Sequence, residues 1–203
     1  MNMIRSICVY CGSSPGRSET YVEAGYALGR AIAASKLRLV YGGGTKGIMG
    51  AVARGTLEGR GQVLGIIPQF LMNKEATEEG LGELSQLVVT ENMHERKRKM
   101  FFESDAFVAL PGGIGTLEEI VEIMTWAQLG RHRKPIVFAN IEGFWNPMLA
   151  LLDHMRDAGF VHTSHLVQPL VVDSVDKIVP AILSEAASSG TPSEGDPKVI
   201  DRL

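Results

Sequence analysis

Leu37-Arg38-Leu39-Val40-Tyr41-Gly42-Gly43-Gly44-Thr45-Lys46-Gly47-Ile48-Met49-Gly50 is the stretch whose reading decides the fold. An apolar, β-prone run stops at three glycines, and small residues with helical spacing follow at once, so a strand turns into a helix (47–58) through a glycine loop. The same grammar recurs at 106–110, where a strand ends in Pro111-Gly112-Gly113 and a long helix is predicted over 116–129. Outward from these two units, apolar runs at 4–10, 63–67, 87–90, 136–139 and 170–172 read as further strands. Helical periodicity fills 18–35, 93–104, 146–157 and 175–185, and residues 69–84 read as irregular or weakly helical.

Alternating strands and helices predict an α/β fold: one doubly wound parallel sheet with helices on both faces, in a single domain. The strands are apolar throughout, as burial on two sides requires. The domain is expected over 1–186. Residues 187–203 are polar and rich in Gly and Pro, and are expected to form a disordered tail.

Composition narrows the function. The chain has 203 residues, 45% apolar and 21% charged, with a formal charge of -3. That excludes the intrinsically disordered class and gives no global basic field for a nucleic-acid backbone. No apolar run reaches the roughly 18 residues of a membrane helix. The N-terminus lacks the apolar core of a signal peptide, and two cysteines cannot staple a small fold, so a cytoplasmic location is expected. Cys8 and Cys11 form C-x-x-C on a strand, which points them to opposite faces. With no second pair, and no metal-ligand spacing at His94, His132, His154, His162 or His165, no metal is expected.

In an open parallel sheet, ligands sit beyond the carboxyl ends of the strands, where both glycine clusters fall. Gly42, Gly44 and Gly47 satisfy G-x-G-x-x-G, but no acid follows the next strand as a dinucleotide site requires, and no Gly-Lys-Ser/Thr marks a P-loop. Gly42, Gly43, Gly44 and Gly47 therefore read either as a contact to an anion at a helix start or as a tight turn. In the second cluster, Thr116 and Glu119 have capping-box spacing. Capping does not explain Gly112, Gly113 and Gly115, which suit a backbone approached closely by a phosphate. In Met93-His94-Glu95-Arg96-Lys97-Arg98-Lys99-Met100, helical spacing turns Arg96 and Lys97 toward the apolar stripe and Arg98 and Lys99 outward. Inward cations need an anionic partner, either a structural carboxylate or a ligand phosphate.

The run Pro111-Gly112-Gly113-Ile114-Gly115-Thr116-Leu117-Glu118-Glu119 fits P-G-G-x-G-T-x-x-E. Met93-His94-Glu95-Arg96-Lys97 lies upstream, and Thr125-Trp126-Ala127-Gln128-Leu129-Gly130 follows. In this order the motifs resemble the lonely guy (LOG) family of cytokinin riboside 5'-monophosphate phosphoribohydrolases, often labelled lysine decarboxylases. The resemblance implies a Rossmann-like homodimer without redox cofactor or metal. It implies hydrolysis of the N-glycosidic bond of an N6-modified AMP, and of AMP, to free base and ribose 5-phosphate. By the same resemblance Arg96 and Glu119 are the catalytic pair. Glu75, Lys97, Gly112, Gly113, Ile114, Gly115, Thr116, Leu117, Glu118 and Thr125 would bind the nucleotide. The alternatives are a general AMP nucleosidase and a non-catalytic nucleotide or molybdopterin carrier of similar fold. A true decarboxylase would need a pyridoxal-phosphate lysine and its partners, and none is recognisable here.

Overall fold

The computed structural model describes residues 3–161 and 169–188. Seven strands form one sheet: β1 (Ser6–Tyr10), β2 (Arg38–Tyr41), β3 (Val63–Pro68), β4 (Gln86–Thr90), β5 (Ala106–Ala109), β6 (Ile136–Ala139) and β7 (Leu170–Val172). Their order is β4-β3-β2-β1-β5-β6-β7, and every pairing is parallel. The chain winds outward from β1 in one direction and from β5 in the other, so the crevice between β1 and β5 is the topological switch point of the fold.

Alternation along each strand feeds two cores. Ile7, Val9, Leu39, Tyr41 and Val108 bury against Leu28 and Ile32 of α1 (Glu19–Ala34), Val52 of α2 (Gly47–Glu58) and Ile178 of α8 (Val175–Ser188). Cys8, Tyr10, Val40, Ile66 and Phe107 bury on the other face. There they meet Met100 and Phe101 of α5 (Met93–Phe102), Ile120 and Ile123 of α6 (Ile114–Gln128), and Met148 of α7 (Asn146–Asp157). Cys8 and Cys11 thus fall in opposite cores, both free thiols, as the strand period demands. Residues 69–84 are more ordered than expected. A 3-10 turn (Gln69–Leu71) leads into α3 (Met72–Glu75) and α4 (Glu78–Gly82), pieces too short to show a period in sequence.

Many of the glycines serve packing. A Cβ on Gly29 would lie 2.2 Å from the Val52 carbonyl oxygen, and one on Gly55 would lie 2.2 Å from that of Tyr26. The α1–α2 pair therefore touches backbone to backbone. The last helix ends at Ser188; residues 189–203 of the expected tail, and also His162 and His165, lie outside the described residues. No helix among the described residues is long and apolar enough to cross a membrane.

Candidate active site

The switch point brings the two glycine loops together. Pairing of Val9 with Tyr41 and of Tyr10 with Ala109 levels the carboxyl ends of β2, β1 and β5. The Gly12 amide donates to the Pro111 carbonyl at 3.1 Å, and a Cβ on Gly112 would lie 2.9 Å from that amide nitrogen. The loop after β1 and the loop after β5 are thus in contact at the sheet edge.

Beside them sits a buried ion pair. Asn92 caps α5 by accepting from the Glu95 amide at 2.9 Å, while the Glu95 carboxylate accepts from the Glu91 amide at 3.0 Å. This cap fixes the first turn of α5 and aims Arg96 at the sheet edge. Its Nη1 lies 3.1 Å from Oε1 of Glu119, with both residues under 8% exposed. Nε donates to the Ile66 carbonyl at 3.2 Å and Nη2 to the Gly42 carbonyl at 3.4 Å. The Met93 sulfur stands 3.9 Å from Nη1. The guanidinium is therefore fixed by two strand ends and one carboxylate.

Burial pushes the Glu119 carboxyl up to about 7, against the opposing pull of Arg96; Glu118 and Glu75 push the same way as burial, and Lys97 pulls down. A carboxyl held near neutrality suits general acid or base chemistry. Lys97 donates to Glu118 at 2.5 Å and to Glu122 at 3.1 Å. Burial works against its ammonium, but those hydrogen bonds outweigh it and raise its pKa.

The start of α6 differs from the sequence expectation. The helix begins at Ile114 with Gly113 as its N-cap, so Thr116 is already inside it and buried. Glu119 is committed to Arg96 and does not close a capping box on Thr116. No side chain caps α6. A Cβ on Gly113 or Gly115 would meet nothing within 4 Å, and neither residue has positive φ. Nothing in the fold requires glycine at these two positions, and residues 113–115 are exposed at a helix start that no side chain caps.

The Gly42–Gly47 cluster has turn and packing roles instead. The first amides of α2, from Ile48 and Met49, both donate to the Gly12 carbonyl at 3.1 Å. Gly43 and Gly47 have φ of +76° and +56°, and the Cβ space of Gly47 is filled by Ser13 and Ser14. The Thr45 amide donates to the Glu75 carbonyl at 2.9 Å, tying this loop to α3. Glu75 is half-buried, and its Oε2 is buried without a hydrogen-bond partner.

Thr125 stands apart from the ion pair. Its hydroxyl donates to the Val121 carbonyl at 2.8 Å, and it lines an open groove of about 790 Å³ between α5 and α6, with Lys97, Phe102, Glu122, Trp126 and Leu129. Sequence reasoning missed Glu122, which the i, i+4 spacing from Glu118 could have flagged, and the Ile66 and Gly42 carbonyls, which carry no side-chain signal. His132 is a core histidine: Nε2–H donates to the Ile123 carbonyl, and burial lowers its pKa to about 4. Among the described residues no three metal-ligating side chains cluster.

Known proteins resemble this chain over most of its length. Residues 49–182 match the protein family described as possible lysine decarboxylase. A probable cytokinin riboside 5'-monophosphate phosphoribohydrolase of Oryza sativa subsp. japonica is 49% identical over 161 residues, covering 79% of this chain and 70% of that protein. A cytokinin riboside 5'-monophosphate phosphoribohydrolase of Arabidopsis thaliana is 46% identical over 157 residues, covering 77% and 71%. The molybdenum cofactor carrier protein of Chlamydomonas reinhardtii superposes with a TM-score of 0.68 at 22% identity, over 92% of this chain and 100% of that one; it shares the fold.

Proposed function

Because the chain belongs to the family of cytokinin riboside 5'-monophosphate phosphoribohydrolases, we propose that it hydrolyses the N-glycosidic bond of N6-modified adenosine 5'-monophosphate, and of AMP. Water adds its oxygen to C1' of the ribose, the C1'–N bond breaks, and the base leaves with that electron pair and a proton. The products are free base and ribose 5-phosphate. The observation that carries this reading is the buried Arg96–Glu119 pair beside an uncapped helix start. The open amides after Gly113 receive the 5'-phosphate, favoured by the helix dipole, and so fix the sugar. Positive charge then grows on the ribose, as in glycoside cleavage, and the Glu119 carboxylate stabilises it and takes a proton from the attacking water. Glu75 has an unpartnered carboxylate oxygen for a ribose hydroxyl, and Lys97 and Thr125 of the adjoining groove, with Glu118 bonded to Lys97, border the rest of the nucleotide.

The reading includes a homodimer in the cytoplasm. The dimer is supported by exposed apolar side chains along the α5–α6 groove, and the reducing compartment by two unpaired cysteines.

The test is chromatography of free base after incubation with isopentenyladenosine monophosphate, AMP and the matching nucleosides, with Glu119→Gln alongside. Release from the monophosphates alone, reduced at least about 100-fold in the variant, is the expected result. No release from any of them, or near-normal turnover by a folded Glu119→Gln, overturns the reading.

A further inference from the structure

We propose that Gly42 is a positioning residue for Arg96: its missing side chain is the space the guanidinium occupies. The inference rests on the activity proposed above and adds a residue to its machinery. A Cβ on Gly42 would lie 2.1 Å from Nη2 and 3.2 Å from Cζ of Arg96, and its third neighbour is the Met49 sulfur at 3.3 Å. All three are far ends of flexible side chains; no backbone atom is among them. Gly42 has no positive φ either, unlike Gly43 at +76°. The backbone therefore does not require glycine here, whereas the guanidinium does. Gly42 also supplies the carbonyl that Nη2 donates to, so one residue both clears the space and holds the group in it.

The other contacts of Arg96 explain why displacement would matter. Nε is tied to the Ile66 carbonyl and Nη1 to Glu119, so a methyl group at 42 cannot be avoided by rotating the guanidinium in place. It must withdraw from the strand ends, and its contact with Glu119 lengthens. Glu119 then loses the cation that opposes its burial and the repulsion from Glu118 and Glu75, leaving Lys97 as the remaining counterweight.

Gly42→Ala is expected to fold, to lower kcat by about 10- to 100-fold with KM for the monophosphate within about twofold, and to move the acidic limb of the pH–rate profile upward. Independently of turnover, the carboxyl 13C resonance of Glu119 should titrate at higher pH in Gly42→Ala than in the parent. This readout survives even if no base is released and the proposed activity fails. In the Arg96→Lys background, where the crowding fork is absent, adding Gly42→Ala should leave the Glu119 titration where it stands, and a further upward shift there overturns the proposal. Unaltered kcat and Glu119 titration in Gly42→Ala overturn the proposal. So does a rise in KM with the pH limb unmoved, which would put Gly42 on the substrate. Should Gly42→Ala fail to fold, Gly42→Ala/Arg96→Lys decides: a folded double variant supports the proposal, and an unfolded one overturns it.

Discussion

Glu119 sits where a carboxylate is poorly solvated, and that has a consequence for stability as well as for chemistry. Burial raises its pKa from its ordinary 4.5 to about 7. Between those two values the folded protein binds this proton and the unfolded chain does not. Stability therefore falls as pH rises through that window, by about 3 kcal/mol in all, and is level above it. Glu119→Gln removes the titration. Above pH 7 it is expected to be more stable than the parent by up to about 3 kcal/mol, with the gap vanishing near pH 4, while losing turnover. Denaturant melts of both proteins at pH 4.5 and 8 measure this; a gap that does not change with pH would show that Glu119 is not the titrating group. At this scale the sequence was partly legible. Helical spacing turned Arg96 inward and asked for an anion, and the glutamate one turn into the next glycine-started helix supplied it. The Ile66 and Gly42 carbonyls could not be read in advance, since they are backbone atoms of distant strands.

At the scale of elements, α6 opens on glycines that its own packing does not require. Gly115 lies in the first turn, with a helical backbone and open space where a Cβ would stand. Alanine there should favour the helix by about 0.5–1 kcal/mol and raise Tm by about 2 °C. It should also push the 5'-phosphate off the amides, raising KM for the monophosphate by on the order of tenfold. Calorimetric melting together with steady-state kinetics of Gly115→Ala tests both effects. A raised Tm with unchanged KM would remove the phosphate from this helix start. Periodicity revealed every long helix, because amphipathic spacing over three or more turns is hard to mistake. It misjudged the start of α6 by two residues, because Thr116 imitates a cap, and it read α3 and α4 only as an irregular or weakly helical stretch, since they are too short to carry a period. Glycine roles were the least legible. Gly29 and Gly55 separate two helices, Gly42 clears an arginine and Gly115 opens on solvent, and each role depends on atoms remote in sequence.

The whole molecule covers both faces of its sheet yet leaves apolar surface on the α5–α6 side. Val121 is 38% exposed on α6, Leu129 57% exposed just after it, and Phe102 42% exposed on α5. These residues flank the groove that Lys97, Glu122 and Thr125 line, so a second copy seated there would wall that groove from water. A two-fold contact suits such a surface. Phe102, Val121 and Leu129 would then meet their counterparts along the axis. Val121→Asp/Leu129→Asp places charges where the single chain is partly open to solvent but buries them in any such interface. Sedimentation equilibrium should give twice the chain mass for the parent and one chain mass for the variant, with base release falling in step. A parent that sediments as a single chain, or a variant that stays paired, would show that this face is not where two copies meet.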